Sequence, residues 1–115
     1  MEATAPKVES IGDVSIILLQ GENLDASNTK EFKLTMAALL QAKRKVVFDM
    51  SHLRFVDSSG LGAFLSCLKV CDAAGGDLKL FGMTKSVHAL FELVRMHRVF
   101  DIFNNKEEAV RAFQS

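Results

Sequence analysis

The stretch Phe55-Val56-Asp57-Ser58-Ser59-Gly60-Leu61-Gly62 gathers two hydroxyls, one carboxylate and two glycines. Four chemistries can be built from that set. The simplest is a helix cap, in which Asp57 or Ser58 accepts from the free amides of a first turn and Gly60 and Gly62 permit close packing. A second is a phosphate cradle of backbone amides at a helix start. Its patterns are missing: there is no G-x-x-x-x-G-K-[ST], no lysine follows Gly62, and S-S-G-L-G falls short of G-x-G-x-x-G. A third is a hydrolase with Ser58 or Ser59 as nucleophile, but the G-x-S-x-G elbow is absent and the nearest base in sequence is a lone His52. The fourth is a serine modified by another enzyme, which makes the chain a substrate rather than a catalyst.

No other group of residues competes with this segment. Cys67 and Cys71 stand four apart in a strongly helical pattern, where a disulfide between them would have poor geometry, so they are read as reduced thiols. His52, His88 and His97 do not cluster with them at ligand spacing, and no metal site or other cofactor is expected.

The segment must be positioned by the elements around it. Val8 to Ile11 and Val14 to Leu19 read as an opening hairpin turned by Gly12-Asp13. A polar connection, Glu22-Asn23-Leu24-Asp25, leads to a helix with Phe32, Met36, Leu39 and Leu40 on one face, started by Asn28 with Glu31. Val46 to Met50 is too short for a helix and mostly apolar, which predicts a strand covered on both faces at the sheet centre. Leu61, Phe64, Leu65 and Leu68 mark the second helix, ending at Ala74-Gly75-Gly76, and Asp77 to Phe81 follows as a strand. Thr84 caps a third helix carrying Val87, Leu90, Phe91 and Val94; Val99 to Phe103 reads as the last strand. Asn105 with Glu108 opens a closing helix through Phe113. Alternation after the hairpin predicts an α/β layer structure whose later strands are mostly parallel.

Composition sets the outer bounds. The 115 residues carry 14 Lys+Arg against 14 Asp+Glu and are 49% hydrophobic, the profile of one ordinary globular domain spanning 1–115. A formal charge of zero provides no general attraction to nucleic acid or an anionic membrane, so partners must be recognised locally. No apolar run approaches a membrane span and the start lacks a secretory pattern, so the expected location is cytoplasmic, without membrane insertion. The charge is uneven along the chain, which predicts a dipolar surface, with Lys43, Arg44 and Lys45 capping the carbonyl end of the first helix. The first five or six residues and the last two are expected to be loosely held.

Asp57-Ser58-Ser59-Gly60-Leu61-Gly62, preceded by Phe48-Asp49-Met50-Ser51 and followed by Gly75-Gly76 and the V-x-x-L-F-x-L run from Val87 to Leu93, resembles the STAS domain family. More narrowly, it is similar to the single-domain bacterial anti-anti-sigma factors, over roughly residues 7 to 113. The resemblance implies a small mixed β-sheet with about four helices packed mainly on one face. It also implies partner switching. The unphosphorylated protein binds an anti-sigma factor that is also a GHKL-type serine kinase and frees the sigma factor; phosphorylation inactivates it, and a PP2C-type phosphatase restores it. The acceptor maps onto Ser58, with Ser59 left open, and Asp57, Gly60, Leu61 and Gly62 support the motif. Glu22, Asn23 and Asp25 are implied as partner contacts, beside the plainer reading of a solvated turn with Asp25 as a local cap. The loop from Gly82 to Lys85 is a further candidate surface. The alternative within the fold is a STAS regulatory subunit of a stress-signalling or transporter assembly. One departure stands out: many members carry Gly-Leu after the third helix, where this chain has Arg95-Met96, so a different helix end is expected.

Overall fold

The computed structural model describes residues 6–114, so the expectations for residues 1–5 and for Ser115 lie outside the described residues. Strands β1 (Lys7–Ile11) and β2 (Val14–Leu18) form the expected antiparallel hairpin. Then follow β3 (Asn23–Leu24), α1 (Thr29–Leu40), β4 (Lys45–Asp49), β5 (Phe55–Val56) and α2 (Ser58–Ala73). The chain continues through β6 (Asp77–Phe81), α3 (Lys85–Leu93), a 3-10 turn at Met96–Arg98, β7 (Asp101–Phe103) and α4 (Lys106–Gln114). The main sheet has five strands in the order β1-β2-β4-β6-β7, parallel from β2 onward, with β4 at its centre as its apolar run predicts.

Alternation along the strands sends two sets of side chains to two cores. Ile17, Val46, Phe48, Leu78 and Leu80 face the larger one, under α1, α2 and α3. Its centre is an aromatic chain in which the Phe64 ring lies 5.9 Å from Phe32, 6.2 Å from Phe48 and 5.9 Å from Phe91, each tilted or edge-on. Val14, Ile16, Val47 and Phe81 face the smaller core, closed by Ala109 and Val110 of α4. Three helices therefore cover one face and one the other, a mixed sheet with helices mainly on one side. Lys79, on the α4 face, is 8% exposed. Its ammonium sits 2.7 Å from Asp101 and 3.2 Å from Asp77 and lies over the Phe113 ring. Burial opposes the charge on Lys79, but the hydrogen bonds and charges of Asp101 and Asp77 outweigh it and raise its pKa.

The structure corrects four local expectations. Asn28 precedes α1 but makes no cap bond to it: its amide oxygen accepts from the Asp25 N–H at 3.0 Å and its NH2 donates to the Asn23 carbonyl at 2.9 Å. The start of α1 is held instead by the Asp25 carbonyl, which accepts from the amides of Asn28 and Thr29. Lys43, Arg44 and Lys45 lie beyond the last turn of α1, and Lys45 pairs with Asp13 at 2.8 Å across the strand starts. Val99 and Phe100 fall outside β7, because the 3-10 turn buries Met96 and Phe100 in the main core before the chain reaches the sheet edge. Lastly, α3 ends as a glycine would end it: Arg95 adopts φ 63°, the left-handed region, despite its side chain.

Candidate functional site

The serine segment leaves the sheet at the carboxyl end of its parallel strands. A second, two-stranded parallel sheet holds it there: β3 pairs with β5, Asn23 opposite Phe55 and Leu24 opposite Val56. The Glu22 carbonyl accepts from the amides of Arg54 at 2.7 Å and Phe55 at 3.1 Å, and the Leu24 carbonyl accepts from Asp57 N–H at 3.2 Å. The Glu22 to Asp25 connection is thereby brought alongside the serines, although the two are more than thirty residues apart in sequence.

Asp57 is the N-cap of α2 and uses both carboxylate oxygens. Oδ1 accepts from Gly60 N–H at 3.0 Å, and Oδ2 accepts from Ala26 N–H at 3.1 Å, tying the β3–α1 loop to the helix start. The capping reading of Asp57 is therefore realised, with an additional tether that spacing does not reveal. No hydrogen bond links the Asp57 carboxylate to the Ser58 hydroxyl among the described residues. Ser58 and Ser59 occupy the first two helical positions, both exposed, and their amides have no intrahelical acceptor. A free helix end of this kind favours negative charge.

The glycines divide in role. A Cβ on Gly60 would stand 2.4 Å from the Leu24 carbonyl oxygen and 2.7 Å from Val56 Cγ1, so this position must lack a side chain for the helix to seat on β3 and β5. A Cβ on Gly62 would meet nothing within 4 Å. Close packing therefore explains Gly60 and not Gly62, which is exposed one turn from Ser58, while Leu61 between them points into the main core.

Of the neighbouring polar residues, Glu22 and Asn23 are exposed. Asp25 faces inward to its own turn: Oδ1 accepts from the Ser27 hydroxyl and, at 2.9 Å, from the Ser27 N–H, which together lower its pKa. The local-cap reading describes Asp25 best. The Gly82 to Lys85 loop reaches the same end of the sheet, where the Thr84 hydroxyl donates to the Leu53 carbonyl at 3.4 Å and also caps α3. Phe55, which opens the serine stretch but was given no role from sequence, is 55% exposed in β5 and stands next to Asn23 in the small sheet. A two-residue strand is too short for alternation to mark its exposure, so no pattern in the sequence singles it out.

Little here serves bond cleavage. His52 is exposed and makes no hydrogen bond to either serine among the described residues. No group of three or more His, Cys, Asp or Glu capable of holding a metal occurs among the described residues. Cys67 and Cys71 are free and buried on α2, and burial pushes their thiols up to about 12 and about 11. No helix among the described residues is long and apolar enough to cross a membrane.

A mostly parallel small sheet that presents exposed serines at a helix entry, with the adjacent carboxylate consumed by backbone amides, has the form of a recognition domain. The STAS domain family profile matches residues 5–109. The chain belongs to that family. An anti-sigma F factor antagonist from Paenibacillus polymyxa is 28% identical over 99 residues, covering 84% of each chain. The solved STAS domain protein of Planctomyces limnophilus superposes with a TM-score of 0.84 at 20% identity, over 96% of this chain and 98% of that one. SpoIIAA is similar in fold in both its unphosphorylated and phosphorylated forms, with TM-scores of 0.68 and 0.67 at 20% identity, over 96% of this chain and 99% and 100% of those.

Proposed function

We propose that the chain is an anti-sigma factor antagonist that acts by partner switching. Unphosphorylated, it binds an anti-sigma factor that doubles as a GHKL-type serine kinase and so releases the sigma factor. Phosphorylation of Ser58 inactivates it, and a PP2C-type phosphatase reverses this. The relatives named as anti-sigma factor antagonists support the reading. The chain is a ligand and a substrate in this scheme, with no turnover of its own, and it works in the cytoplasm without touching nucleic acid.

The observation that carries the proposal is the setting of Ser58. Its exposed hydroxyl heads a helix whose first two amides are free, while the nearest carboxylate is tied to Gly60 and Ala26. A phosphate adds about −1.5 to −2 charge and three acceptor oxygens, which the helix end accommodates without unfolding. The modification therefore acts on the bound partner, by repulsion, bulk and desolvation of a surface that includes Glu22, Asn23, Phe55 and Gly62. Ser59, one position further along the helix, is the secondary acceptor.

Binding of the purified kinase to the parent protein and to Ser58→Asp tests this. The expected result is a loss of about tenfold or more in affinity, with the far-ultraviolet circular dichroism unchanged. Parent-like affinity, or loss of helical signal together with binding, would contradict the mechanism.

A further inference from the structure

We infer that the end of the molecule opposite Ser58 carries a second docking surface, formed by Leu93, Val94, Arg95, His97, Arg98 and Val99, that takes an acidic polypeptide segment. Its position follows from topology. The serine segment and the start of α3 lie at the carboxyl ends of the parallel strands; α3 runs back, so the residues joining it to β7 lie at their amino ends. A partner seated there leaves Ser58 accessible, and the chain can hold two partners at once.

Three observations converge on it. The first is apolar exposure: of the six large apolar residues left exposed among the described residues, Leu93, Val94 and Val99 fall within this one stretch, and Leu93 at 80% is the most exposed. The second is charge. Arg95, His97 and Arg98 are exposed between them and make no side-chain hydrogen bond or ion pair among the described residues, while Glu92 is turned toward His88. Cations with no partner of their own, set among exposed apolar groups, are complementary to an acidic segment bearing apolar side chains. The third is backbone strain. Arg95 occupies a left-handed conformation suited to glycine, at φ 63°, and no hydrogen bond or ion pair of its side chain compensates among the described residues. Meanwhile buried Met96 pins the turn, so the surface is presented on a fixed support. A net charge of zero provides no long-range pull toward an anionic bilayer, so a local protein contact is the occupant these features fit.

The test is an amide-shift titration of the full-length 15N-labelled protein with a 16-residue amphipathic helical peptide carrying glutamates on one face and leucines on the other. Its Glu→Gln counterpart and phosphatidylglycerol vesicles are run alongside. The acidic peptide is expected to shift residues 93–99, the Gln peptide and the vesicles not to, and Ser58→Asp to respond like the parent. Leu93→Asp and Arg95→Gly should each weaken binding about tenfold or more, while Arg95→Gly raises the thermal midpoint because the strain is relieved. Stability and binding then move in opposite directions, which loss of fold cannot mimic. Shifts confined to other surfaces, equal response to the Gln peptide, binding to vesicles alone, or parent-like affinity in Arg95→Gly would each overturn the inference.

Discussion

At the scale of single residues, Asp57 does more than its position in the motif requires. One carboxylate oxygen caps α2 and the other holds the Ala26 amide, so two loops distant in sequence depend on one side chain. Asp57→Ala is expected to cost about 1–2 kcal/mol in urea denaturation, and Asp57→Asn less, because its amide oxygen keeps one of the two acceptors. A parent-like Asp57→Ala would mean that water replaces both bonds at no cost. The two glycines make a sharper pair. Gly60→Ala forces a methyl into the Leu24 carbonyl and should destabilise by about 1–3 kcal/mol, whereas Gly62→Ala meets open space and should stabilise by up to about 1 kcal/mol. Equal melting shifts in the two variants would refute that division of roles. The same view makes Cys67 and Cys71 inert: burial raises both thiols far above neutrality, so neither should react with a thiol reagent at pH 8 until the protein is denatured.

At the scale of elements, α4 is the piece whose attachment is most exposed to test. It closes the smaller core, and Lys79 beneath it is packed on Phe113 between Asp77 and Asp101. Because the folded state raises the Lys79 pKa, its contribution is complete below the unfolded lysine value of about 10.4 and is lost as pH rises through the folded value. Stability should therefore fall in strongly alkaline solution. Lys79→Met should lie within about 1 kcal/mol of the parent at neutral pH, since both aspartates remain solvated, and should lack this part of the alkaline loss. An unchanged alkaline profile in Lys79→Met would assign the loss elsewhere. The elements easiest to read beforehand were those with enough residues to show a period: the hairpin, the apolar β4, and the helices with their apolar faces. Strands β3 and β5 have two residues each, too few for any alternation, and yet they bring Glu22 and Asn23 against the segment that leads into Ser58. The Asn28 and Glu31 pairing misled because a side-chain oxygen can serve a turn as readily as a helix cap, and here Asn28 serves the Asp25 turn. The end of α3 misled in the opposite sense, since Arg95 accepts a glycine-like backbone conformation that its type disfavours.

At the scale of the whole molecule, opposite ends carry different surfaces. The carboxyl ends of the parallel strands gather the serine pair, Glu22, Asn23 and the exposed Phe55; the other end gathers the basic and apolar turn after α3. With a formal charge of zero, the domain offers local surfaces for recognition, and in the proposed switch a phosphate of about −2 charge is expected to change one of them without altering the packed layers beneath. The motif itself was legible in six consecutive residues; the surface around it was not, because it is assembled from segments that only the small parallel sheet brings together. The assignment of Ser58 as the switch is tested by mass-spectrometric site mapping after reaction of the purified protein with its kinase and ATP. A single phosphate on Ser58, absent in Ser58→Ala, is expected, on a protein whose circular dichroism is unchanged. Phosphate found only outside residues 57–62, or nowhere, would contradict it.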